Sequence, residues 1–221
     1  MSGEPHDMPR PRIESLSDLV FGLALSIGAV ALIGSPPTSI SNLYSDILTF
    51  GFNFIVLISV WLRYTRVMSV LPVENGRMLF LNALLLFSVS IEPFLFNLLR
   101  SGNSAAEVAL DVKDAASALY GFDLGAILLV IGVFTLALAD EQKRLVPKAM
   151  ISDLRGEATT ALASAGIFII SALPAFDKVF VGRTFLRTDL WLVALAVIWL
   201  GALRRKSAKR KQTSEASTTP S

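Results

Sequence analysis

The sequence predicts an all-α, polytopic membrane protein with six transmembrane helices. Apolar segments recur along the 221-residue chain, and each is long enough to cross a hydrocarbon core, which takes about 20 helical residues. These segments occupy most of a chain that is 53% hydrophobic, with a mean hydropathy of +0.60. The predicted spans are residues 17–34, 46–68, 78–99, 118–139, 158–176 and 187–203.

The distribution of positive charge supports the same count and predicts an orientation. Six spans place both termini on one side, and the segments of that side carry most of the 20 lysine and arginine residues. By the positive-inside rule, both termini are cytoplasmic. We expect a cytoplasmic leader at 1–15, a six-helix transmembrane domain at 16–203, and a basic, disordered cytoplasmic tail at 204–221. We interpret the basic tail as a stop-transfer anchor and predict no nucleic-acid partner.

The composition argues against an enzyme. The chain has no cysteine, and its one histidine is His6, in the polar leader. Thiolate chemistry, histidine-based catalysis and the usual nitrogen and sulfur metal ligands are therefore close to excluded. No phosphate-binding loop, dinucleotide fingerprint or zinc-binding helix motif occurs. We predict no catalytic residues, no metal site and no cofactor.

One face of the first predicted helix is a candidate pore lining. Leu23, Ile27 and Val30 recur at i, i+4 and i+7, which places them on the same side of a helix, with Ser26 beside them. Such a stripe can simply pack against lipid or protein. Alternatively, it can form a narrow apolar constriction that gates by dewetting, with the Ser26 hydroxyl next to it.

Polar residues at the start of this helix predict a network with its neighbours. Arg12 and the Ser17–Asp18 pair stand at the mouth of an apolar span. An acid buried at a membrane boundary needs a partner, although Arg12 can also serve as a simple topological anchor. The expected partners are Trp61 and Tyr64 at the end of helix 2 and Asn82 in helix 3.

Three further acids lie in or near the predicted spans. Glu92 is well inside helix 3, directly before Pro93. It is a candidate cation or proton site, or it faces an outer vestibule; the sequence does not decide between these. Asp123 and Asp140 lie near the ends of the predicted fourth span, where we expect them to be interfacial.

Three segments together resemble a known channel family. The pattern Arg-x-x-x-Leu-Ser-Asp at 12–18 resembles the Arg-x-x-x-Phe-Ser-Asp signature that opens helix 1 in the transmembrane-protein-175 family of potassium channels. The helix 2 end at 60–66 and the helix 3 segment at 80–94 are similar to the corresponding helices of that family. The chain departs from the family pattern at Leu16, Tyr64 and Glu92.

The resemblance implies a prokaryotic-type, single-repeat subunit that forms a homotetramer in the cell membrane, with helix 1 of each copy lining a pore for potassium ions. It implies a constriction at Leu23, Ile27 and Val30, with Ser26 at the polar position, and roles for Arg12 and Asp18 in the network that steadies helix 1. The resulting hypothesis is a potassium-permeable, weakly selective leak channel. The alternative is a proton-coupled secondary transporter that uses Glu92 and Asp18 as relay sites.

Overall fold

The computed structural model describes residues 12–33, 37, 39–70, 76–100, 110–141, 145–176, 180–181 and 184–218. This part of the chain folds into six long helices and one short hairpin, so the predicted all-helical class is confirmed. The helices are α1 (Arg12–Ile33), α2 (Ile40–Met68), α3 (Gly76–Arg100), α4 (Leu110–Leu138), α5 (Lys148–Ser171) and α6 (Leu186–Thr218).

Three of the described helices are long and apolar enough to cross a membrane. These segments are Ile40–Met68, Gly76–Leu99 and Asp114–Leu138, and Ser15–Val30 forms a shorter apolar helix. Three of the described helices are therefore candidate spans by length and composition alone, whereas the count of six stays a prediction.

Several helix ends differ from the hydropathy prediction, and local sequence features explain two of them. Helix α2 begins at Ile40 rather than 46 because the Ser39 hydroxyl accepts a hydrogen bond from the Asn42 backbone N–H at 3.1 Å. Helix α5 ends at Ser171 rather than 176, since Pro174 opens a separate 3₁₀ turn at Pro174–Phe176. Helix α6 continues to Thr218, past the predicted span end at 203 and through most of the segment that the sequence predicts to be a disordered tail.

A small hairpin precedes α6 and has no counterpart in the prediction. Strand β1 (Phe180–Val181) pairs antiparallel with β2 (Thr184–Phe185), with Phe180 opposite Phe185. Two residues per strand are too few to produce a recognisable alternation of apolar and polar residues.

Helix α4 lies at the centre of the bundle. It packs against α3 and α5 and also contacts α2, while α6 packs against α5. Helix α1 is peripheral, and its main contacts are with α3 and α2. Consequently α1 keeps a large exposed surface, whereas α4 is largely enclosed by protein.

Arg187 ties the second half of the chain together. Its buried guanidinium donates to the Ser171 carbonyl at 2.7 Å and also bonds the Asp114 carbonyl and the Ser117 hydroxyl. The Trp191 indole N–H donates to the Ser171 hydroxyl at 2.9 Å. These bonds join α4, α5 and α6 at one level and satisfy a carbonyl that the end of α5 would otherwise leave without an intrahelical donor.

Glycines allow α4 and α5 to approach closely. A Cβ at Gly125 would lie 2.6 Å from the Ile169 Cγ1 atom and 3.2 Å from the Ala165 carbonyl oxygen. A Cβ at Gly132 would lie 2.7 Å from a Leu162 methyl carbon. Small residues let helix backbones come together in membrane proteins, where lipid competes for apolar contacts.

We expect Gly125→Ala to destabilise the protein by about 1–3 kcal/mol, because the new methyl group overpacks against the α5 backbone. The matched control is Gly156→Ala on α5, where a Cβ would meet nothing within 4 Å. Alanine is the better helix former, so this control should be neutral or slightly stabilising. Thermal unfolding of both variants in detergent tests the difference, and equal midpoints would contradict close α4–α5 packing.

Candidate pore helix and its polar network

Helix α1 contacts the bundle through one narrow stripe. Ser17, Phe21, Ala24 and Gly28 are the buried positions of this helix, and their spacing of four, three and four residues follows one helical face. Gly28 lies against α2, where an added Cβ would be 3.6 Å from the Phe50 ring and 3.7 Å from the Asn53 amide nitrogen. This stripe fixes which side of α1 points away from the protein.

The predicted constriction residues lie together on the side that points away. Leu23, Ile27 and Val30 are 56%, 45% and 62% exposed. The Ser26 hydroxyl is also exposed and donates to the Gly22 carbonyl at 2.8 Å. Because its proton is used within the helix, the Ser26 oxygen presents lone pairs outward, where it can contact a cation.

Three polar side chains meet where α1, α2 and α3 come together. The Tyr64 hydroxyl donates to the Asn82 Oδ1 atom at 2.9 Å, and the Ser17 hydroxyl lies 2.5 Å from the same Tyr64 oxygen. Because Tyr64 gives its proton to Asn82, Ser17 is the donor in the second bond. All three residues are buried. The structure thus brings together three residues that the sequence proposes as a network.

A second bond joins α1 to α2 one residue further along. The Trp61 indole N–H donates to the Asp18 Oδ1 atom at 2.9 Å. The carboxylate is exposed, while the indole ring is partly buried. The predicted role of Arg12 lies outside the side chains that the structure describes.

Glu92 lies apart from this network, in a polar cluster between α2, α3 and α4. The Asn53 amide donates to the Glu92 Oε2 atom at 3.3 Å, and the Tyr120 hydroxyl donates to the Asn53 carbonyl oxygen at 3.4 Å. Asp123 is close enough for its charge to act on Glu92, and Ser88 lies beside Asp123. We call these five residues the interior cluster: Asn53, Ser88, Glu92, Tyr120 and Asp123.

The structure decides between the alternatives for Glu92 and changes the picture of Asp123. Glu92 is 0% exposed, so it does not face a vestibule within this chain. Asp123 is only 7% exposed, so it is covered by protein and does not lie at the surface of the chain. The reason is that α4 begins at Leu110 rather than 118, which places Asp123 more than three turns inside the helix.

Sequence reasoning did not find Asn53, Ser88 or Tyr120 as members of a site. Of these three residues, Asn53 is the one that the sequence best indicates as a site member, since an amide in the middle of an apolar helix needs a buried partner. Among the described residues, no group of three or more histidine, cysteine, aspartate or glutamate side chains is placed to hold a metal ion.

The comparison with protein families matches the helices that build this site. Residues 12–93 match the family described as the endosomal/lysosomal potassium channel TMEM175. The predicted family resemblance is confirmed over this segment. It begins at the first residue of α1 and ends at Pro93, so it contains the α1 face, the Tyr64 network and Glu92.

No curated protein and no solved structure matches the chain. The TMEM175 match and the three apolar helices together support an integral membrane protein. Helices α4 to α6 lie outside the matched segment, and their part in the site is to supply Tyr120 and Asp123 and to hold α3.

We expect Tyr64→Phe to lower the free energy of unfolding by about 0.5–2 kcal/mol, because it leaves Ser17 and Asn82 without their shared partner. Tyr44→Phe is the matched control, since the Tyr44 ring is exposed on the same helix. Thermal unfolding of the two variants gives the comparison. If Tyr64→Phe costs no more than Tyr44→Phe, the hydroxyl does not hold the three helices.

Proposed function

We propose that this protein is a potassium-permeable, weakly selective cation leak channel, in which α1 of each of four copies lines a central pore. The carrying observation is that the matched channel segment includes a peripheral helix whose apolar face is left uncovered by the other described helices. A peripheral helix can line a pore only where several copies meet. The number four and the prokaryotic, single-repeat character rest on the family resemblance.

The constriction in this proposal is apolar. From Leu23 to Val30 the helix rises about 10 Å, and Leu23, Ile27 and Val30 face outward along that length. A ring of such side chains narrows the pore and makes it easy to dewet. Discrimination between ions would then depend on pore width and dehydration cost, so we expect modest selectivity for potassium over sodium.

Polar groups would lie on the approach to this constriction. Asp18 is exposed and stands five residues before Leu23, and Ser26 lies between Leu23 and Ile27. In a tetramer, four Asp18 carboxylates near one mouth would attract cations. Trp61 would hold each carboxylate in place through its indole N–H.

The proposal includes an arrangement in the membrane. All six helices would span the bilayer of the cell membrane, with both termini cytoplasmic because of the positive-inside bias. Residues 1–15 would form the leader, residues 16–203 the channel domain and residues 204–221 the basic cytoplasmic tail.

Ion flux from the purified protein in liposomes tests this function. We expect passive potassium flux down its gradient, a smaller sodium flux, and no requirement for a proton gradient. A single tetrameric mass in native mass spectrometry would support the assembly. A monomer with full flux would contradict a pore built between copies.

A proton-coupled transporter is the second candidate, and one observation favours it. Glu92 and Asp123 are buried acids in the middle of the bundle, and buried acids in membrane proteins often serve proton relays. This alternative predicts saturable flux that needs a proton gradient and that Glu92→Gln abolishes. Flux that persists without a proton gradient contradicts it.

We expect Leu23→Ala to raise potassium flux between about twofold and tenfold or to relax selectivity, because a wider, less apolar neck lowers the barrier by up to about 1.4 kcal/mol. The matched control is Leu119→Ala on α4, since Leu119 is 54% exposed and Leu23 is 56% exposed. Both variants lose the same side chain from an uncovered helix face. Equal flux from the two variants would indicate that α1 does not line the pore.

A further inference from the structure

The interior cluster contains two acids that are buried well away from the predicted pore face. Glu92 and Asp123 are 0% and 7% exposed, and the other members, Asn53, Ser88 and Tyr120, are buried as well. Glu92 follows Asn82 by ten residues on α3, which separates the cluster from the Tyr64 network by about 15 Å along the helix axis. The cluster is therefore a second polar level in the same bundle.

The hydrogen bonds of the cluster leave one oxygen of each acid without a donor. The Asn53 amide donates to the Glu92 Oε2 atom. The Glu92 Oε1 and Asp123 Oδ2 atoms are fully buried and have no hydrogen-bond partner among the described residues. A buried polar atom without a partner is costly, and a buried carboxylate is more so.

The described charged groups that act on Glu92 do not neutralise the negative charge of its carboxylate. From α4, the titratable groups that act on it are Asp123 and Tyr120, and from α2 the neutral Asn53 amide contacts it. On α1, the described acid Asp18 is near the other polar level, where Trp61 binds it. Within the described ranges, neither Glu92 nor Asp123 makes an ion pair with a basic side chain. Two ionised acids at this position would repel each other in a medium of low dielectric constant.

A proton is the cation that suits this geometry. Hard metal ions take about six oxygen ligands, and only two acceptor oxygens of the cluster carboxyls stand free. The amide of Asn53 turns its nitrogen, not its oxygen, toward Glu92, and its oxygen is already bonded to Tyr120. A bound proton removes the negative charge of a buried carboxyl and turns one of its oxygens into a hydrogen-bond donor.

We infer that Glu92 and Asp123 form an intramembrane proton-binding site, which holds a proton at neutral pH and thereby keeps α2, α3 and α4 packed together. The site goes beyond the proposed channel function and does not depend on it, because it lies inside each copy. Its link to the proposed pore is mechanical: α3 carries Glu92 and also packs against α1. Loss of the proton would place a second negative charge in the junction and weaken this support.

Infrared titration of the full-length protein in liposomes tests the site without relying on ion flux. We expect the carbonyl band of protonated carboxyl groups to persist at neutral pH, well above about pH 4, where exposed acids lose their protons. Glu92→Gln and Asp123→Asn should each reduce this band by about half, because each variant removes one of the two buried carboxyl groups. The matched control is Asp114→Asn, since Asp114 is an exposed acid on the same helix as Asp123 and should leave the band unchanged.

Three outcomes would overturn the inference. The first is the absence of a protonated carboxyl band at neutral pH in the unaltered protein, a result that needs no variant to fold. The second is a band that Asp123→Asn and Glu92→Gln both leave as large as Asp114→Asn does. The third is a band that sodium or potassium chloride removes at constant pH, since a metal ion would then occupy the site. Potassium flux can be present or absent in each case, so the test separates this site from the channel.

Discussion

The buried Tyr64 hydroxyl is the contact on which the geometry of α1 depends. It joins α1, α2 and α3 through Ser17 and Asn82, and the Phe21 ring packs against the Tyr64 ring with centroids 5.5 Å apart. A rotation of α1 by one residue, about 100°, would remove Ser17 from this bond and leave buried polar groups without partners. The bond therefore selects one orientation of α1. With Ser17 and Phe21 turned inward, Leu23 has to point away from the bundle.

Helices α2 and α3 are joined at two polar levels rather than along their length. Tyr64 meets Asn82 at one level, and Asn53 meets Glu92 at the other. The partners are separated by eleven residues on α2 and ten on α3, as expected for antiparallel helices in a constant register. Two such contacts can fix the register of helices that otherwise touch little, because a polar group in an apolar interior accepts few alternative partners.

Hydropathy predicts the number, type and order of the helices, but the limits of those helices depend on local chemistry. The Ser39 cap and Pro174 set two ends that no apolar window marks. Trp61, Tyr64 and Asn82 are recognisable as partners because they are polar residues at the ends of adjacent apolar helices. The burial of Asp123 is not predictable in this way. The polar turns between Leu110 and 118 continue α4 as a helix, so an acid near the edge of the hydropathy peak lies deep inside the bundle.

In the proposed assembly, the residues on the uncovered side of α1 would contact further copies of the chain. Gly22 and Ser26 are exposed on one flank of that side, and no described residue comes within 4 Å of a Cβ placed at Gly22. Small residues add little against lipid tails but let helices approach closely. Leu23 and Ile27 stand next to them and are bulky. If copies packed around a common axis, the small residues on the flank of α1 would allow close contact with a neighbouring helix. The bulky side chains beside them would then meet at the centre of the assembly. This arrangement gives α1 a reason to stay peripheral in a single chain while α4 and α5 pack tightly around their glycines.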